Sequence, residues 1–228
     1  MAQAHAPPLE PRQRWRLTFE RGEDPVRRAH REVADGWVAA LIHAGLPLPR
    51  PAGRPRSPLA FAAPLPAGIA CLGEVADLWL SQLRPAWWVR ERLEPTMPAG
   101  MRLLRLDDVW LGAPALAAAI RGAGYATSLS GGPEEVAAVA DAAARFLASP
   151  QVVRERTRAS GQVRHDIRPL VEDVSVDPGP PARLRISVRF LQDRGAGRPD
   201  EVIAALEELH GGPIARGATV REGLILDD

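Results

Sequence analysis

The nine residues Ala182–Phe190, ARLRISVRF, alternate without a break: Leu184, Ile186, Val188 and Phe190 fall on one side, Arg183, Arg185, Ser187 and Arg189 on the other. A period of two over that length suits a β-strand with one buried face. Such a strand obliges the rest of the chain to supply a layer that covers its apolar side. RWRLTFERG, near the start, repeats the device, with Trp15, Leu17 and Phe19 set against Arg14, Arg16 and Thr18. The chain thus has an alternating strand in each half.

Helical spacing follows the first strand. From about Asp24 to Ala44, Val33, Trp37, Ala40 and Leu41 share one face. The pattern stops at AGLP, where Gly45 is a natural cap and Pro47 forbids continuation. LAFAAPL and EVADLWLSQL then read as strands, PAWWVRERLE as a helix opened by Pro85, and GMRLLRLDDVWLG as a strand. The second half follows a similar plan. GYATSLS is a strand, the helix of GGPEEVAAVADAAARFLAS starts at Pro133, and QVVRERTR with GQVRHDI forms a hairpin. After ARLRISVRF come a helix in RPDEVIAALEEL and a last strand in ATVREGLIL. The predicted fold class is α+β, with two tandem ferredoxin-like (βαββαβ) units. Residues 1–12 read as a disordered tail, 13–113 as the first unit and 122–228 as the second, joined between Gly112 and Gly122.

Composition narrows the chemistry. Cys71 is the single cysteine among 228 residues, so no disulfide can form within the chain and no cluster of thiolates can hold iron–sulfur or structural zinc. The five histidines, at 5, 30, 43, 165 and 210, lack zinc-ligand spacing. The expectation is no metal and no cofactor. All 29 basic residues are arginine, which excludes an internal Schiff-base lysine and the lysine of a phosphate-binding P-loop. No apolar run approaches the roughly 20 residues needed to span a membrane, and a cytoplasmic protein is expected.

Four places carry candidate chemistry. His30, early in the first helix, has the side chain of a general acid or base, while Glu32 diverges from it by about 200° and does not pair with it. His165 and Asp166 are neighbours on a strand and point to opposite faces, which fits a structural corner better than a dyad. Arg154, Arg156 and Arg158 alternate on one strand, as do Arg183, Arg185 and Arg189 on another; as neighbours showing one face they would form a basic surface for phosphates. These strands lack the aromatic residues that stack bases, so backbone contact is favoured over base readout. Finally, the segment from Gly45 to Gly68 holds seven prolines with Arg50, Arg54 and Arg56, a stiff positive loop suited to an anionic partner.

AHREVADGWVAALIHAGLPL, FAAPLPAG, VRHDIRPLVEDVSV, LRISVRF and RPDEVIAAL together resemble the radical-SAM-linked protein family, DUF2344, over roughly Arg14 to Leu226. The most specific parts are Asp166, Arg168 and Pro169 in DIRP, and Arg198 and Asp200 in RPDEV. His30 matches the family's opening motif, with Ala29 where serine is usual and Glu32 where aspartate is. Gly53 and the prolines survive in a loop whose usual aromatic, asparagine and histidine residues are missing. The resemblance implies a radical SAM protein as partner and, by association, RNA such as tRNA or rRNA. It leads to the expectation of a non-catalytic accessory protein that binds or presents RNA. The alternatives are a metal-independent endoribonuclease-like protein using His30, and a pure protein-interaction module.

Overall fold

The computed structural model describes residues 9–22, 30–50, 57–64, 69–158 and 161–227. The chain divides into two compact units, Met1–Ala119 and Ile120–Asp228.

In the first unit, β1 (Gln13–Arg21) is followed by α1 (His30–His43), β2 (Leu59–Phe61), β3 (Ala70–Leu80), α2 (Ala86–Leu93) and β4 (Met101–Val109). The strand order is β2-β3-β1-β4, every neighbour antiparallel. The alternation of β1 works as expected on its apolar side. Trp15, Leu17 and Phe19 are buried with Leu78 and Leu80 of β3, and Val33, Trp37 and Leu41 of α1 join Val89 and Leu93 of α2 in the same core. Phe19 meets Trp37 edge-on, with ring centroids 4.8 Å apart. Gly45 ends α1 at φ +65, a left-handed turn that glycine adopts without the penalty of a Cβ.

Two expectations need correction here. The polar side of β1 does not simply face water: Arg14 is only 2% exposed and is bound to Asp77 of β3. The stretch read as a tail is tied down from Leu9 onward. Leu9 exchanges backbone hydrogen bonds of 2.9 and 2.8 Å with Arg50, and the Arg12 amide donates to the Leu80 carbonyl. Backbone pairing needs no side-chain pattern, so PLEPR gives no sign of it.

The second unit runs β5 (Ile120–Leu129), α3 (Pro133–Ala148), β6 (Val153–Arg158), β7 (Gly161–Asp166), β8 (Val171–Asp177), β9 (Arg183–Leu191), β10 (Gly195–Ala196), α4 (Pro199–His210) and β11 (Arg216–Leu226). Its main sheet is ordered β8-β9-β5-β11, again antiparallel, with β10 also paired to β9. Leu184, Ile186 and Val188 are buried, as are Val139 and Phe146 of α3 and Val202 and Leu206 of α4. Gly122 lies so close to β9 that a Cβ there would sit 2.1 Å from the Val188 carbonyl oxygen.

The sequence reading missed β8. Its buried residues are Val171 and Val174, three apart, because the register slips between Val171 and Asp173, and a slip of one residue breaks the period of two. The β6–β7 hairpin exists but forms its own two-stranded sheet. Arg154, Glu155, Arg156, Thr157 and Arg158 leave β6 with no continuous apolar face to bury.

Candidate functional site

The DIRP corner is built by hydrogen bonds. Asp166 Oδ1 accepts from the Val152 amide (2.9 Å) and from the Arg168 amide (3.0 Å), an arrangement that favours a short acceptor side chain at the end of β7. The Arg168 guanidinium donates to the Leu147 carbonyl (3.1 Å) near the end of α3 and to the Val171 carbonyl (2.9 Å) at the start of β8. A cation over the carbonyls of a helix C-terminus is favourably placed, and the planar fork serves both acceptors at once. Asp166 and Arg168 are therefore a structural corner, and Pro169 lies in the 3₁₀ turn Arg168–Leu170 that leads into β8.

One turn into α4, Glu201 receives both sides of the hairpin. Arg156 donates Nε (2.9 Å) and Nη2 (2.7 Å) to Glu201 Oε1, and His165 Nε2 stands 3.3 Å from Oε2. Arg154 reaches Glu208 at 2.5 Å. Histidine, carboxylate and guanidinium thus meet on one helix, and each is spent holding the hairpin to it. Arg198 is the N-cap residue of α4 and Asp200 sits in the first turn, where negative charge suits the helix dipole.

The basic surface proposed from alternation does not assemble, because β6 pairs with β7 and β9 with β5, β8 and β10. Arg154 and Arg156 are on the hairpin, apart from the strand that carries Arg183, Arg185 and Arg189. The β9 arginines also meet acids. Arg185 Nη1 binds Glu222 at 2.7 Å, and Arg189 Nη2 lies 3.7 Å from Glu172. Asp177 stands opposite Arg183 in the β8–β9 register. A strand of positive charge in the sequence becomes a face of mixed charge.

The first unit holds the more unusual groups. Asp77, fully buried, binds Arg14 through Oδ2 and Arg16 through Oδ1 (2.9 Å). Arg14 completes its fork with the Ala113 (2.7 Å) and Pro114 (2.8 Å) carbonyls. Sequence reasoning missed this network, although an aspartate inside the apolar run of EVADLWL, in a chain with arginine in a second strand, was the available signal. The guanidinium carbons of Arg84, just before α2, and of Arg92, on it, lie 4.8 and 4.3 Å from the centre of the Trp88 ring. Beside that stack a cavity of about 320 Å³ is lined by His43, Ala44, Glu91, Arg92 and Thr96. Trp87 and Leu83, next in sequence to Trp88 and Arg84, are 65% and 67% exposed.

Several sequence candidates fall elsewhere or outside the described residues. Arg50 is exposed beside its bridge to Leu9, whereas Gly53, Arg54 and Arg56 lie outside the described residues. His30 begins α1 and Arg158 ends β6, but their side chains are likewise outside the described set; Glu32 is exposed in the first turn of α1. Among the described residues, no group of three or more histidine, cysteine, aspartate or glutamate side chains is placed to hold a metal ion. No helix of the described residues is long and apolar enough to cross a membrane. One exposed pair titrates abnormally: the hydrogen bond from Arg121 holds the Asp227 carboxyl below the ordinary value of 3.8.

A family model described as an uncharacterized protein conserved in bacteria (DUF2344) matches residues 14–199. No curated protein matches the chain.

Proposed function

Since the chain belongs to the DUF2344 family, we propose that it is a non-catalytic accessory protein of a radical SAM enzyme, acting in the cytoplasm by docking onto that protein. The observation that carries this reading is the exposure of large apolar side chains on the first unit: Trp87 at 65%, Leu83 at 67% and Trp110 at 78%. Tryptophan is among the residues that most often dominate interface energies, and exposed apolar patches mark contact sites. Arg84 and Arg92, stacked on the neighbouring Trp88, add positive charge, which suits an acidic partner surface. Meanwhile Asp166, Arg168, Arg156 and His165 are engaged within the second unit. On this reading the redox chemistry belongs to the partner. The finer fold assignment goes with it: the orders β2-β3-β1-β4 and β8-β9-β5-β11, each antiparallel and each with two helices between strands, support two ferredoxin-like units.

RNA presentation is the second reading. It is favoured by Arg183, which has no ion pair among the described residues, and by the partial exposure of Arg185 and Arg189. Glu172, Asp177 and Glu222 on these arginines weigh against it. Calorimetric titration of the radical SAM protein that the family resemblance implies as partner tests the docking reading. Changing Leu83 and Trp87 together to alanine should weaken the complex at least about tenfold, since each hot-spot truncation costs more than ~1 kcal/mol. Absence of a complex, or one indifferent to that double change, would overturn it.

A further inference from the structure

From the edge strand β4 we infer that two copies of this chain associate through it, Met101–Val109 of one pairing antiparallel with the same strand of the other. Among the described residues, β4 has a single neighbour, β1, so one row of its backbone donors and acceptors faces outward. Open edges accept a further strand, and soluble proteins normally blunt them with bulges or with charge. Both devices occur here, and their placement is what identifies the occupant. The register places Arg105 opposite Thr18 and Leu103 opposite Phe19, so Leu104 is a bulge that confines regular pairing to the run from Arg105 onward.

The charges on that strand are not of one sign. Arg102 and Arg105 occupy its first half, Asp107 and Asp108 its second. A strand of this kind repels nothing when it meets a reversed copy of itself. Centred on Leu106, antiparallel pairing sets Arg105 against Asp107 of the second copy and Asp107 against its Arg105, with Leu106 facing Leu106 between them. Directly opposed residues in an antiparallel pair interact, and an isologous contact makes each favourable pair twice. Arg105 and Asp107 lie on the same side of β4, opposite Thr18 and Arg16 of β1, so both ion pairs form on one face. At present Arg105 Nε binds Asp107 within its own strand at 2.7 Å, and both side chains are well exposed at 70% and 42%. Exchanging that partner for its equivalent on the second copy surrenders only a solvent-screened pair. The residues that make this interface are not Leu83 or Trp87, and the experiment below involves no other protein.

Sedimentation equilibrium on the 228-residue chain, from micromolar to near-millimolar concentration, tests the inference. The expected result is a monomer–dimer equilibrium that Arg105→Asp weakens at least about tenfold, because two symmetry-related attractions become repulsions. Asp107→Arg should do the same, and Arg105→Asp with Asp107→Arg should restore the dimer, since the reversed charges again face one another. Hydrogen exchange on the unmodified chain supplies a check that needs no variant: amides between Leu104 and Val109 should gain protection as concentration rises. A chain that stays monomeric throughout, or a dimer whose affinity ignores both single changes, would overturn it. So would a double variant that folds yet remains a monomer.

Discussion

Replacing Asp77 with alanine should expose how strongly the first unit depends on one carboxylate. Asp77 is 0% exposed and Arg14 2%, so the change strands a guanidinium in the interior. Losing one member of a buried ion pair costs about 3–5 kcal/mol. Arg14 would keep its hydrogen bonds to the Ala113 and Pro114 carbonyls, which points to the lower end, about 3 kcal/mol. That is roughly a hundredfold in the folding equilibrium and a fall of about 10–20 °C in the melting temperature of a unit this size. Urea unfolding followed by tryptophan fluorescence measures it, because Trp15 and Trp37 report from the same core. A paired change, Arg14→Met with Asp77→Leu, removes both charges and should recover most of the loss. A loss below about 1 kcal/mol for Asp77→Ala would mean that Arg14 finds water or another acceptor and that the network does not anchor the sheet.

Other perturbations have equally definite outcomes. Arg168→Ala removes donors to two carbonyls and should cost about 1–3 kcal/mol by thermal melting, with Arg168→Lys recovering only part because an ammonium lacks the fork. Gly122→Ala forces a methyl against the Val188 carbonyl and should destabilise the second unit by about 2 kcal/mol, measured by chemical denaturation. Asp227 should titrate, by NMR, below 3.8, and Arg121→Gln should return it toward that value. The sign follows from linkage: a carboxyl whose folded value is depressed adds stability above its unfolded value and loses it as pH falls through the folded one.

How far the sequence could be read depended on whether residues obeyed a local rule. Strands such as β1 and β9, with strict alternation, and helices such as α1, with a capping glycine, were legible because side-chain period reflects the surface each residue meets. The strand β8 was not, because its bulge removes that period. The corner role of Asp166 was legible, since aspartate beside a turn has few alternatives. The partners of Arg154, Arg156, Arg185 and Arg189 were not. Each partner is an acid from another element, up to 54 residues away, as in Arg154 with Glu208. Alternation fixes which face a charge occupies, but tertiary pairing decides whether it is free.

The most direct test of the accessory role is to titrate the radical SAM protein and bulk tRNA separately with the same preparation. Both the unmodified chain and a variant with Arg183, Arg185 and Arg189 changed to glutamate should be used. The expected result is a complex with the protein that survives the charge reversal, and no tRNA binding of the isolated chain that depends on those arginines. Absence of the protein complex, together with tRNA binding that weakens steeply with salt and vanishes in the variant, would contradict it.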